Sequence, residues 1–69
     1  MKFEDIKKRF TYHPPKENQP EKYQKIRKGA KELATLINDL CPESGEKLIA
    51  ITKLEETVMW ANAAIARHE

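Results

Sequence analysis

The sequence of 69 residues contains a single cysteine, Cys41, and only two glycines. A lone cysteine excludes an intramolecular disulfide and is typical of proteins in the reducing cytosol. Two glycines are too few for the glycine-rich loops that bind phosphates in many nucleotide-dependent enzymes. The two histidines, His13 and His68, are far apart, and no cysteine–histidine cluster has the spacing of a zinc site. We therefore expect no metal site, no cofactor and no enzymatic activity.

Long apolar runs are also missing. No apolar stretch approaches the roughly 20 residues that a membrane-spanning helix requires, and the N-terminus is charged where a signal peptide is apolar. The net charge of +2 is too small to predict non-specific binding to DNA or RNA. We therefore expect a cytoplasmic protein with neither a membrane nor a specific nucleic acid as partner. Most of the basic residues lie in the first 31 positions, so the N-terminal half is suited to face an anion.

Two long segments have apolar residues at helical spacing, separated alternately by three and four positions. The first predicts a helix over residues 20–41, and the second predicts a helix over residues 44–68. The six residues from Cys41 to Glu46 connect them, with Pro42 ending one helix and Ser44 capping the next. Such a short connection makes the two helices antiparallel neighbours. The predicted contact positions are Tyr23, Ile26, Ala30, Leu33, Ile37 and Leu40 on the first helix, and Ile51, Leu54, Val58, Ala61 and Ile65 on the second.

The N-terminal segment repeats the helical spacing on a smaller scale. Phe3, Ile6 and Phe10 predict a short helix over residues 1–10, which is too short to be stable unless it docks on the hairpin. Residues 11–19 form a loop that Pro14 and Pro15 make rigid. The whole chain, residues 1–69, is expected to form one helical domain.

The second long helix has more apolar surface than one partner helix covers. Residues outside its contact stripe include Ile49, Met59, Trp60, Ala63 and Ala64. A chain of this length buries only about 60% of its unfolded surface, so it is marginally stable by itself. The predicted fold is therefore all-α: a short N-terminal helix and a long antiparallel two-helix hairpin, completed by homo-oligomerisation.

Binding is better supported than catalysis. The segment FTYHPPK places Phe10, Tyr12 and His13 beside a rigid turn, and aromatic faces stack on nucleobases. With Arg27 or Lys28, Tyr12 is a candidate for holding an anionic ligand that carries bases. The alternative is that Tyr12 packs on the hairpin and the cations form a solvated face.

A second candidate anion site lies near the C-terminal end of the last helix. Asn62 and Arg67 carry the groups that such a site requires. The ordinary explanation for Arg67 is that its charge stabilises the C-terminus of its own helix.

Three stretches in combination carry a resemblance: FTYHPP (10–15), Ile26-Arg27 with AKELA (30–34), and TKLEETVMWANAAIAR (52–67). They resemble the phage-encoded anti-CBASS proteins of the second type. These small helical proteins act as sponges for the cyclic oligonucleotide messengers of bacterial anti-phage signalling. The resemblance implies a three-helix subunit assembled into a hexamer, with cyclic dinucleotides such as cyclic GMP–AMP (cGAMP) held between paired subunits.

The resemblance also assigns roles to residues. It implies that Tyr12 stacks on a base and that the phosphate-binding cation is Arg27 or its neighbour Lys28. It places Arg67 in a separate pocket for cyclic trinucleotides, and Asn62, from its position on the same helix, is a further candidate for that pocket. Sequestration without cleavage is the function that it implies. A helical homo-oligomeric protein-interaction module with no nucleotide ligand is the alternative.

Overall fold

The computed structural model describes all 69 residues and contains three α-helices and no strand. Helix α1 spans Phe3–Phe10, α2 spans Gln19–Leu40 and α3 spans Gly45–His68. The predicted all-α class, with one short helix and a long two-helix hairpin, is confirmed. No helix is both long enough and apolar enough to cross a bilayer.

The turn between α2 and α3 follows from two residues. Cys41 precedes Pro42 and is therefore held in extended geometry, with φ of −99° and ψ of 138°, which ends α2. Ser44 caps α3 as predicted: its Oγ accepts a hydrogen bond from the Lys47 backbone N–H at 3.1 Å. Because the turn is this short, α2 and α3 pack side by side in opposite directions.

The two long helices contact each other along one half-buried stripe each. On α3 the predicted residues occupy that stripe, but on α2 the prediction is wrong at two positions. Leu33 and Leu40 are 47% and 74% exposed, and Ala34 is half-buried instead. A straight helix turns by about 100° per residue, which places Leu33 and Leu40 about 60° and 80° from the direction of Ala30, but Ala34 only about 40° away. The half-buried residues of the α2 stripe are Tyr23, Ile26, Ala30, Ala34 and Ile37.

No hydrophobic side chain of the single chain is fully buried. The Cα atoms extend over 45 × 30 × 13 Å, so the molecule is a layer one helix thick. Two side chains are buried and both are polar: Gln19 at 2% exposure and Lys47 at 7%. Apolar residues on all three helices face outward, which is typical of surfaces that meet a partner. The largest exposed ones are Phe3 and Phe10 on α1, Leu33, Leu36 and Leu40 on α2, and Leu48, Ile49, Met59 and Trp60 on α3.

Candidate ligand-binding site

The loop between α1 and α2 presents two aromatic rings to solvent. Phe10 is 85% exposed at the end of α1, and Tyr12 is 79% exposed two residues later. The structure therefore does not show the packing of Tyr12 on the hairpin that was the alternative to ligand binding. An exposed ring on a stiff segment is free to stack on a flat partner.

His13, next to Tyr12, is half-buried and already has a partner. Its Nε2 lies 2.9 Å from the carbonyl oxygen of Lys8, so the ring N–H donates to a carbonyl in the last turn of α1. Carbonyls in the last turn of a helix have no partner within the helix, and His13 satisfies one of them. His13 was predicted as a ligand contact, and in the single chain it fastens the loop to α1.

The other end of the loop is fastened by Gln19, the first residue of α2. Its Oε1 accepts a hydrogen bond from the backbone N–H of Lys16 at 2.9 Å, and its Nε2 donates to the carbonyl oxygen of Ile65 at 3.3 Å. Sequence reasoning missed this role because Ile65 lies 46 positions away. No local pattern indicates such a contact.

Charged groups of Lys16 and Lys22 add to this attachment. Lys16 Nζ donates to the backbone oxygen of Glu69, and Lys22 Nζ lies 2.6 Å from Glu69 Oε1. Two of the basic residues of the N-terminal half therefore hold the end of α3 and are engaged within the chain.

Arg27 and Lys28 lie exposed further along α2 and form no ion pair within the chain. Lys28 borders a shallow groove of about 450 Å³ together with Lys31, Glu32 and Thr35. Arg27 is eight residues from Gln19, which corresponds to about 12 Å along the helix. None of the main surface grooves of the single chain is bordered by Tyr12 or by Arg27. None of these grooves brings the ring and this cation together.

Arg67, near the end of α3, borders two grooves. One, of about 200 Å³, is lined by Trp60, Ala63, Ala64 and His68 as well. The other, of about 250 Å³, lies between α1 and α3 and is also lined by Asp5, Lys8, Arg9 and His68. Arg67 therefore sits between the apolar surface of α3 and the cations of α1.

Asn62 differs from Arg67 in its surroundings. Its Oδ1 is enclosed and accepts no hydrogen bond. The two residues are five positions apart and so point about 140° from each other around the helix. The single chain does not bring these two predicted site residues together in one groove.

No group of three or more His, Cys, Asp or Glu side chains lies close enough to hold a metal ion. Cys41 is an exposed free thiol at the turn. The candidate residues carry rings, positive charges and an amide, which are groups capable of stacking, charge attraction and hydrogen bonding.

The fold and these groups define a small helical-hairpin protein with a candidate binding surface. A family model described as Acb2/Tad1, hairpin domain, matches residues 3–66. The chain belongs to this family, and its resemblance to the anti-CBASS proteins of the second type is confirmed. The family is known for binding rather than for enzymatic activity, and membership points to cyclic oligonucleotides as the ligand class. Comparisons with curated proteins and with solved structures gave no match.

Proposed function

We propose that this protein binds cyclic dinucleotides such as cGAMP and sequesters them without cleaving them. The messenger is then withheld from the receptors of CBASS anti-phage signalling. The observation that carries this proposal is the family match over residues 3–66. The protein acts in the cytoplasm where the messenger is made, which is the host's cytoplasm if a phage encodes it.

Stacking on Tyr12 provides the recognition of a base. Its ring is exposed beside the rigid segment Pro14-Pro15, so the loop loses little conformational entropy when a base stacks on the ring. Base–aromatic stacking contributes about 1–3 kcal/mol per base. Phe10 and His13, on either side of Tyr12, complete the surface around the base.

A cation on α2 provides the recognition of phosphate. Arg27 and Lys28 are exposed and free of internal ion pairs, so neither has to break a contact to bind an anion. An arginine holds two phosphate oxygens with a planar fork, whereas a lysine acts as a point charge. Arg27 is therefore our first choice for the phosphate contact and Lys28 the second.

The complete pocket forms between subunits of a homo-oligomer, which the resemblance implies to be a hexamer. Tyr12 and Arg27 line none of the main grooves of one chain, and no hydrophobic side chain is fully buried there. Pairing two chains covers exposed apolar surface and encloses a ligand between them. Sequestration needs this enclosure, because a ligand held on an open surface dissociates readily.

A second site, for cyclic trinucleotides, uses Arg67 and Asn62. Arg67 supplies a positive charge beside a groove, and Asn62 supplies an amide whose enclosed Oδ1 has no partner within the chain and has to be uncovered before it can accept from a ligand. Since the two side chains diverge on one helix, a shared pocket takes them from different subunits.

A calorimetric titration of the full chain with cGAMP tests the proposal. We expect tight binding at about one ligand per two chains, which is the ratio for a pocket between paired subunits. Ligand recovered intact by chromatography after denaturing the complex supports sequestration, and cleaved ligand contradicts it. No heat from folded, assembled protein would instead favour the interaction module, for which the exposed Met59 and Trp60 supply a surface.

Three single variants on α2 identify the phosphate contact. Charged hydrogen bonds contribute about 1.5–3 kcal/mol, so Arg27→Ala should weaken cGAMP binding by about 10-fold to 100-fold. Lys28→Ala should change it less, and Lys25→Ala is the matched control because Lys25 is paired with Glu21 at 3.5 Å. Similar small losses in all three variants would show general charge attraction and contradict a specific contact.

A further inference from the structure

Gln19 is the most completely buried side chain of the molecule, at 2% exposure, in a chain that buries no hydrophobic residue. A polar group out of water is costly unless it is hydrogen-bonded. Both ends of the Gln19 amide meet that requirement: Oε1 accepts from the Lys16 N–H, and Nε2 donates to the Ile65 carbonyl. The side chain is thus a bridge between the loop before α2 and the end of α3.

Only an amide of this length satisfies both partners. A glutamate in the same position keeps the acceptor for the Lys16 N–H but, when ionised, has no proton to donate to Ile65. A methionine fills a similar volume and replaces neither hydrogen bond. The backbone reinforces the bridge, since the N–H of Gln19 itself donates to the Lys16 carbonyl at 3.0 Å.

The bridge holds one end of a short rigid segment whose other end is also held. At the far end, His13 donates to the Lys8 carbonyl at 2.9 Å. Pro14 and Pro15 lie between the two attachments, and each has its φ restricted to about −65°. The chain from His13 to Lys16 therefore has little freedom, and Tyr12 precedes it directly.

We propose that Gln19 is a positioning residue for Tyr12: it locks the loop onto α3, so that the Tyr12 ring is already oriented when a base arrives. The affinity role rests on the proposed cyclic dinucleotide function, whereas the loop attachment does not. A released loop has to be ordered during binding, and that entropic cost lowers affinity without removing any contact to the ligand.

The other buried polar residue is the matched control. Lys47 lies at the opposite end of the hairpin, where its Nζ donates to the Asn38 carbonyl at 2.9 Å, far along the chain from the Tyr12 loop. Gln19→Met and Lys47→Met each remove the polar contacts of a buried side chain and keep its stem. We expect both to lower Tm, but only Gln19→Met to weaken cGAMP binding, by roughly tenfold, which corresponds to the entropic cost of ordering about one backbone residue of the released loop.

A readout without ligand separates this inference from the proposed function. Heteronuclear ¹⁵N NOE values of the Tyr12, His13 and Lys16 amides should fall in Gln19→Met and stay at the wild-type level in Lys47→Met. If the wild type binds no cGAMP, the proposed function fails, and the NOE values still test the attachment. If the Gln19→Met protein has the oligomer mass of the wild type and both its NOE values and its affinity for cGAMP are unchanged, the inference is overturned. Gln19→Glu, which loses only the bond to Ile65, serves the same test if Gln19→Met does not fold.

Discussion

At the turn end of the hairpin, residues 38–47, polar groups bond to near neighbours, whereas at the open end they bond between two segments that are far apart in the chain. We define the open end as residues 3–22 together with residues 60–69. At the turn end, Ser44 Oγ bonds the N–H of Lys47, and Lys47 Nζ bonds the Asn38 carbonyl and Glu43 Oε1, all within nine positions. At the open end, Gln19 and Lys22 reach partners 46 and 47 positions away.

The two ends also differ in what they leave exposed. Four large rings are exposed, and all four belong to the open end: Phe3, Phe10, Tyr12 and Trp60. Arg67 and the cations of α1 border its grooves. The turn end is a local structure that stops one helix and starts the next. The open end is assembled from distant parts and presents the groups that we propose to bind ligand, so we expect substitutions there to change function and substitutions at the turn to change stability.

The largest expected effect is on assembly. Trp60→Glu places a charge on the exposed apolar surface of α3, and burying an unpaired charge in an interface costs several kcal/mol. We expect the proposed homo-oligomer to dissociate, as measured by size-exclusion chromatography with light scattering. Trp60→Phe, which keeps an apolar ring, should assemble normally. An unchanged mass for Trp60→Glu would place this residue outside the subunit interface.

The next effect is on affinity at the open end. Tyr12→Ala removes the stacking ring and should weaken cGAMP binding by about 30-fold, the equivalent of about 2 kcal/mol. Because Tyr12 is 79% exposed, helix content and oligomer mass should stay at wild-type values by circular dichroism and light scattering. Tyr12→Phe keeps the ring and should retain most of the affinity. Full affinity in a correctly assembled Tyr12→Ala protein would contradict the assigned role.

At the turn end the expected effect is smaller and falls on stability. Ser44→Ala removes the cap of α3 and should cost about 1 kcal/mol, which for a chain of this size lowers Tm by about 4–8 °C. Ser44→Asp keeps a capping oxygen and should restore most of the loss. Affinity for cGAMP should not change in either variant. A large loss of affinity in Ser44→Ala would remove the distinction between the two ends.

The smallest expected effect is a gain in stability rather than a loss. Gly29 lies in the middle of α2 with helical φ, and a Cβ added there meets no atom within 4 Å. Gly29→Ala should therefore raise stability by up to about 1 kcal/mol, seen as a higher Tm, with affinity unchanged. If affinity falls as Tm rises, a ligand or a neighbouring backbone approaches Gly29 closely. The candidate surface would then extend from the open end along α2, beside Arg27 and Lys28.

Sequence reasoning succeeded where the controlling interactions are local. The all-α hairpin follows from helical spacing, and the cap at Ser44 depends on a residue only three positions further on. Sequence reasoning failed at Leu33 and Leu40. A regular alternation of three-residue and four-residue spacings places both on the contact stripe of α2, but the actual direction of that stripe depends on how α3 lies against α2. The exposure of Tyr12 also depends on which surfaces the fold leaves open.

The sequence alone is enough to establish the helical hairpin and the family. The hairpin follows from the spacing of apolar residues and from Pro42 and Ser44 in the turn, and the family follows from the motifs around Tyr12 and Arg67. These features act over a few positions or are carried by residue identity itself. Three features required the tertiary structure: the burial of Gln19 and Lys47, the position of Ala34 rather than Leu33 at the helix contact, and the enclosure of the Asn62 Oδ1. They depend on distances between segments and on rotation about helix axes, and neither quantity is written in the local pattern.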